Sequence, residues 1–151
     1  MTLDTPFYRW GDVLDFRAGG NAVRYCVSGW ALPEDDFTWT DGANARLALM
    51  VRQPDSDVSM TLKCIPNTLE GRIPYQEINL FINFLRVAYA TVTDPGEIVF
   101  AIPRRVLMTP HLIIDFYLPK AASPASLGRG NDVRRVGIAL EWLTLTEIAH
   151  P

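Results

Sequence analysis

Two cysteines, two histidines and no apolar run long enough to cross a bilayer set the first limits on this 151-residue chain. Cys26 and Cys64 are too few for a disulfide framework, and each falls in an alternating segment where cysteine behaves as a small buried hydrophobe. His111 and His150 leave a zinc site poor in ligands. Basic residues are also in short supply. Fourteen Lys and Arg stand against 17 Asp and Glu, a net charge of −3, which argues against nucleic acid or an anionic membrane surface as partner. The opening Met1–Pro6 lacks the basic start and apolar stretch of a secretory signal, so a cytoplasmic location is expected. What remains is ordinary globular composition, 48% hydrophobic and 21% charged. The length suits one domain, residues 1–151 with a core over about 12–146, able to bury roughly two thirds of its unfolded surface.

The signal that is present has period two. Leu14 and Phe16 alternate with Asp15 and Arg17, and Val23, Tyr25 and Val27 with Arg24 and Cys26. Ala45, Leu47, Leu49 and Val51 oppose Arg46 and Arg52. Val58, Met60, Leu62 and Cys64 oppose Ser59, Thr61 and Lys63. Further runs are Ile78–Ile82, Val87–Val92, Ile98–Ile102, Leu112–Leu118 and about Val136–Thr146. Such spacing sends every second side chain of a strand to one face. Gly19-Gly20, Asp41-Gly42, Pro54-Asp55, Asp94-Pro95-Gly96 and Ser123-Pro124 punctuate the runs as turns. About nine short strands so spaced predict an all-β, antiparallel β-sandwich. Asn83 is placed at a hairpin bend because its flanks are β-branched-rich. The last strand changes phase near Glu141–Trp142, which predicts a bulge, and Pro103–Met108 suits a single turn.

Long irregular segments fall at Gly29–Asn44, Pro66–Tyr75 and Pro119–Arg135, and in a sandwich such loops gather at the sheet ends and carry binding. The first holds Trp30, Glu34, Asp35, Asp36, Phe37, Trp39 and Asp41. Flat aromatics beside carboxylates suit a sugar, which offers apolar C–H faces and hydroxyls. The same tryptophans also suit plugs at the sandwich end. The Glu34–Asp36 run resembles a solvated face more than a glycosidase pair, for which no isolated second acid stands out. Asp35, Asp36, Asp41 and Asn44 could hold calcium, but no EF-hand register is present and no metal is expected. In the third segment, Gly128-Arg129-Gly130-Asn131 lacks the Lys-Ser/Thr of a phosphate loop, so no nucleotide cofactor is expected. Asp132 with Arg134 or Arg135 suits an ion pair or a bidentate fork onto Glu34, which would tie the two loops together if buried, and Asn131, Asp132 and Arg134 could equally line a polar groove. No serine-nucleophile context appears, and no enzyme is expected. Phe81, Ile113 and Tyr117 are apolar in the outward phase. On neighbouring strands they would form a patch fit for a partner or a second copy.

Two separated signatures carry a resemblance. Gly29-Trp30-Ala31-Leu32-Pro33-Glu34 precedes Trp39-Thr40-Asp41-Gly42 and Ala45-Arg46-Leu47; later, Ser123-Pro124-Ala125-Ser126-Leu127-Gly128 precedes Asp132-Val133-Arg134-Arg135-Val136-Gly137. In this the chain resembles a β-sandwich module of bacterial polysaccharide-related proteins, found in glycosyltransferases and phosphoglycerol-transferase-like enzymes, over roughly Asp12–Thr146. The resemblance implies a jelly-roll-like sandwich similar to carbohydrate-binding modules, usually appended to a catalytic domain. It departs from the pattern at Phe84, where glycine is common after Asn83.

Two functions follow as expectations. One is a non-catalytic module that binds a saccharide or surface-polysaccharide intermediate through Trp30, Glu34, Trp39, Asp41, Asn131, Asp132 and Arg134. The other is an assembly protein that docks on a glycosyltransferase or forms a homo-oligomer through Phe81, Ile113 and Tyr117.

Overall fold

Val58, Met60, Leu62 and Cys64 are sealed from solvent while Ser59, Thr61 and Lys63 between them are not, as their alternation requires. The inward phase is likewise sealed at Ala45, Leu47 and Leu49, at Ile78, Leu80 and Ile82, and at Leu112, Ile114 and Phe116, although Ala48 and Asp115 of the opposite phase are also buried. The computed structural model describes residues 4–128 and 130–148. Ten strands form among them: β1 (Val13–Asp15), β2 (Cys26–Ser28), β3 (Thr38–Trp39), β4 (Asn44–Met50), β5 (Val58–Pro66), β6 (Gln76–Ile82), β7 (Leu85–Val92), β8 (Gly96–Ile102), β9 (His111–Tyr117) and β10 (Ile138–Glu147). The architecture is an antiparallel β-sandwich. One sheet runs β1-β10-β5-β8 with β3 beside β1 on the same edge of β10, and the other runs β2-β4-β9-β6-β7. From β4 onward the chain changes sheet at every step except the β6–β7 hairpin. The inward faces close over one core in which Tyr8, Phe16 and Phe116 are the largest fully buried side chains. Tyr8, ahead of the first expected strand, is fixed there. Its hydroxyl donates to the Asp12 carbonyl and accepts from the Leu145 amide at 2.8 Å.

The hairpin bends at Asn83-Phe84, both left-handed at φ 47° and 70°, the mirror-image turn whose twist suits paired strands. Asparagine tolerates that region, and here its side chain also bonds outward: Nδ2 donates to the Val106 carbonyl at 3.1 Å and Oδ1 accepts the Ile113 amide at 2.9 Å. Phe84 keeps the turn without glycine, its ring lying under the Arg46 guanidinium at 5.3 Å. Asn83→Ala should lose about 2 kcal/mol, from backbone strain plus two hydrogen bonds. Urea unfolding of the variant checks this, and an unchanged midpoint would contradict it.

The bulge falls where the phase shifts, since Leu140 pairs with Cys64 and Trp142 with Lys63, leaving Glu141 unpaired. Arg104–Val106 forms the single turn. One reading fails. Val23, Tyr25 and Val27 are not one strand; Asn21–Tyr25 is a 3-10 turn, and only Cys26–Ser28 pairs with β4. Tyr25 is buried with its hydroxyl on the Phe7 carbonyl at 2.9 Å, and Val23 and Val27 are exposed. The tenth strand is the short β3, which forms inside a loop expected to be irregular.

Candidate functional site

The loop from Gly29 to Gly42 and the approach to β10 are tied together by backbone. Thr40 N donates to the Ile138 carbonyl at 2.8 Å and Gly42 N to the Arg135 carbonyl at 2.7 Å. The buried Thr40 hydroxyl accepts the amides of Gly137 and Ile138 at 3.1 and 3.2 Å. Asp41 adds a side-chain link, its Oδ1 accepting the Arg135 amide at 3.0 Å. The two loops singled out above therefore meet at one end of the sandwich, because each must satisfy amides that the short β3 cannot.

Trp39 lies opposite Ala139 of β10. Since Thr38 and Thr40 on either side point inward and are buried, the indole of Trp39 points out, half-buried and edge-on to Phe37 at 5.5 Å. Glu34 is exposed, its amide on the Phe37 carbonyl at 2.8 Å. Asp132 and Arg134 form a two-pronged pair, Nη2 to Oδ2 at 2.8 Å and Nε to Oδ1 at 3.1 Å. That pair holds the Asp132 carboxyl below its usual range and raises Arg134, which also feels the fields of Glu34 and Asp41. Of the two expected partners the arginine takes Asp132, two residues away and so cheaper to align, rather than Glu34. Asn131 is exposed beside the pair. Arg134 thus lies within electrostatic reach of Glu34 and Asp41, so charged groups of both loops gather at this end of the sandwich.

Trp30 does not share that surface. Its ring packs on Phe16 at 5.2 Å and edge-on to Phe116 at 6.4 Å, and Nε1 donates to the Arg46 carbonyl at 2.9 Å. It lines instead a cleft of about 550 Å³ at the sandwich edge, with Val23, Val27, Leu32 and Cys26 among the other walls. Burial pushes the thiols of Cys26 and Cys64 up to about 12, so both are neutral. No three His, Cys, Asp or Glu side chains gather to hold a metal among the described residues. Arg129 and His150 lie outside the described residues. No helix among the described residues is long and apolar enough to cross a membrane.

Phe81, Ile113 and Tyr117 do share a surface, the outer side of the second sheet. Asp115, which sequence reasoning passed over, joins it together with Asn44 and Arg46. Asp115, nearly buried, accepts Arg46 Nε at 2.8 Å and Nη2 at 3.2 Å, and its Oδ1 also takes Asn44 Nδ2 at 2.8 Å. A carboxylate between two apolar neighbours in an outward phase was the available signal. Asn44, Arg46, Phe81, Phe84, Asp115 and Tyr117 line a recess of about 470 Å³.

No protein-family model and no curated protein matches the sequence. Solved structures do match in fold. The CBM36-1 domain of a multidomain xylanase from the hindgut metagenome of Trinervitermes trinervoides aligns at TM-score 0.52 and 11% identity, over 92% of this chain and 98% of that one. A family 35 carbohydrate-binding module from Clostridium thermocellum aligns at 0.52 and 8% identity, over 91% and 100%. A family GH115 4-O-methyl-α-glucuronidase specific for decorated arabinogalactans aligns at 0.51 and 8% identity over 82% of this chain, which spans 16% of that enzyme. The chain shares the β-sandwich fold of carbohydrate-binding modules.

Proposed function

We propose that this chain is a non-catalytic saccharide-binding module, with a contact surface at the tied loop end made of Glu34, Trp39, Asp41, Asn131, Asp132 and Arg134. The observation that supports it most is the outward Trp39 indole, held by Phe37 and by strand pairing, on a loop tied to the segment where Arg134 feels Glu34 and Asp41. A ring fixed before binding loses little entropy on contact, and the polar groups beside it suit hydroxyls. The Trp30 indole serves the core edge in this reading. Glu34, Asp35 and Asp36 are all exposed, which supports a solvated contact surface.

Trp39→Ala should weaken saccharide binding roughly tenfold while leaving the unfolding midpoint within about 1 kcal/mol of the parent. Calorimetry against a panel of xylan, mannan, β-glucan and arabinogalactan oligosaccharides checks it. Equal affinity of parent and variant would remove the loop site from the proposal.

A further inference from the structure

Strand register sets the outer side of the second sheet in rows. Asn44 of β4 faces Tyr117 of β9, Tyr117 faces Asn79 of β6, and Asn79 faces Tyr89 of β7. The next row is Arg46, Asp115, Phe81 and Arg86. Strands lie about 4.8 Å apart, so the first row crosses about 14 Å with its two tyrosines about 10 Å apart and an amide between them. Tyr117 and Tyr89 are 42% and 48% exposed, too open for structural plugs. Tyr75 continues the outward phase of β6 one step before that strand, with Lys120 at 4.9 Å from its ring centre. Phe84 folds back over Arg46 and closes one end of the recess.

We infer that this face is a track for a linear oligosaccharide chain, laid across β9, β6 and β7 and gripped by Tyr117, Asn79 and Tyr89. The inference rests on the saccharide-binding reading above and adds to it a second contact surface and a ligand that is a chain rather than a terminal sugar. Ring, amide, ring in one line matches a polymer that presents C–H faces and hydroxyls at a regular interval. A second protein copy fits worse. The centre of a protein interface is depleted of charge, whereas the centre here holds Arg46, Asp115 and Asn44 already bonded to one another. Sealing those groups under an apolar partner would strip water from Arg46 without a new bond in return. The open recess lets a hydroxyl-bearing chain keep them solvated or hydrogen-bonded.

Affinity electrophoresis through gels containing xylan, mannan, β-glucan or arabinogalactan selects the polymer, and NMR titration with its hexaose and its monosaccharide locates the contact. The expected result is amide shifts on β6, β7 and β9, and hexaose binding far tighter than the monosaccharide. Tyr117→Ala and Tyr89→Ala should each weaken hexaose binding roughly tenfold. Tyr89 lies on an edge strand, so its variant remains informative if Tyr117→Ala folds poorly. Val99→Ala, on the outer side of the other sheet and 63% exposed, should leave affinity unchanged. Shifts confined to residues 34–41 and 131–135 would overturn the track and leave the saccharide-binding module standing. Retardation by no polymer would remove both. A dimer by sedimentation that Tyr117→Asp converts to monomer would overturn the track in favour of self-association.

Discussion

Gly29→Ala should destabilise the protein by about 4 kcal/mol, a large part of the 5–15 kcal/mol that separates a folded domain from its unfolded state. Two independent costs combine. Gly29 sits at φ 83°, where a side chain meets its own backbone, at about 1–2 kcal/mol. An added methyl would also lie 2.0 Å from the Asn44 carbonyl oxygen and 2.8 Å from the Ala45 Cα, both backbone atoms of β4 that cannot rotate away. Gly19 separates the two. Its φ is 79°, yet no atom lies within 4 Å of the added carbon, so Gly19→Ala should carry the strain alone. With a urea slope of roughly 2 kcal/mol per molar, the midpoints should fall by roughly 2 M and roughly 0.5–1 M. Equal shifts would mean that β4 yields freely, and the tight seam between β2 and β4 would not be what positions the Trp30–Asp41 loop.

Strands with different surroundings on their two sides were legible in advance. β4, β5, β6 and β9 bury the expected phase residue by residue, because period two maps directly onto the two faces. The Glu141 bulge was legible for the same reason. Alternation misled at Val23–Val27, since five residues are too few to tell a strand from a 3-10 turn running into an edge. Tyr25 is the one fully inward residue there, anchored through its hydroxyl, with Cys26 partly buried beside it. Trp30 and Trp39 look alike in sequence and differ in place. Trp30's indole N–H meets the Arg46 carbonyl, and Trp39 sits between two inward threonines in a strand too short to foresee. The convergence of the two loops was legible, but not its chemistry. The link is backbone amides and Thr40 rather than the anticipated Glu34 fork. The row from Asn44 to Tyr89 could not be read at all, because which strands become neighbours is decided by crossings between sheets, and only the β6–β7 hairpin is local.

The row beside it has a fixed point in the Arg46–Asp115 pair, and Arg46→Ala should lose about 3 kcal/mol, near the lower end for breaking a buried pair. The Asp115 side chain is 7% exposed and Arg46 33%. Removing the arginine therefore strands a carboxylate with one remaining donor, Asn44, whereas removing the acid leaves a guanidinium that can turn to water. Asp115→Asn should accordingly cost less than Arg46→Ala, about 1–2 kcal/mol. The double variant Arg46→Met with Asp115→Leu discards both charges and keeps volume on the sheet, so it should return to within about 1 kcal/mol of the parent. A double-mutant cycle by urea unfolding, closed with the single variants Arg46→Met and Asp115→Leu, reads the coupling. Strictly additive losses would show that the pair contributes no mutual energy and that Phe84, stacked on the same guanidinium, holds this part of the face by itself. Non-additivity in the expected direction carries a further consequence. The double variant would be as stable as the parent yet lack the polar centre of the proposed chain track, so its saccharide affinity separates what this pair does for the sheet from what it does for a ligand.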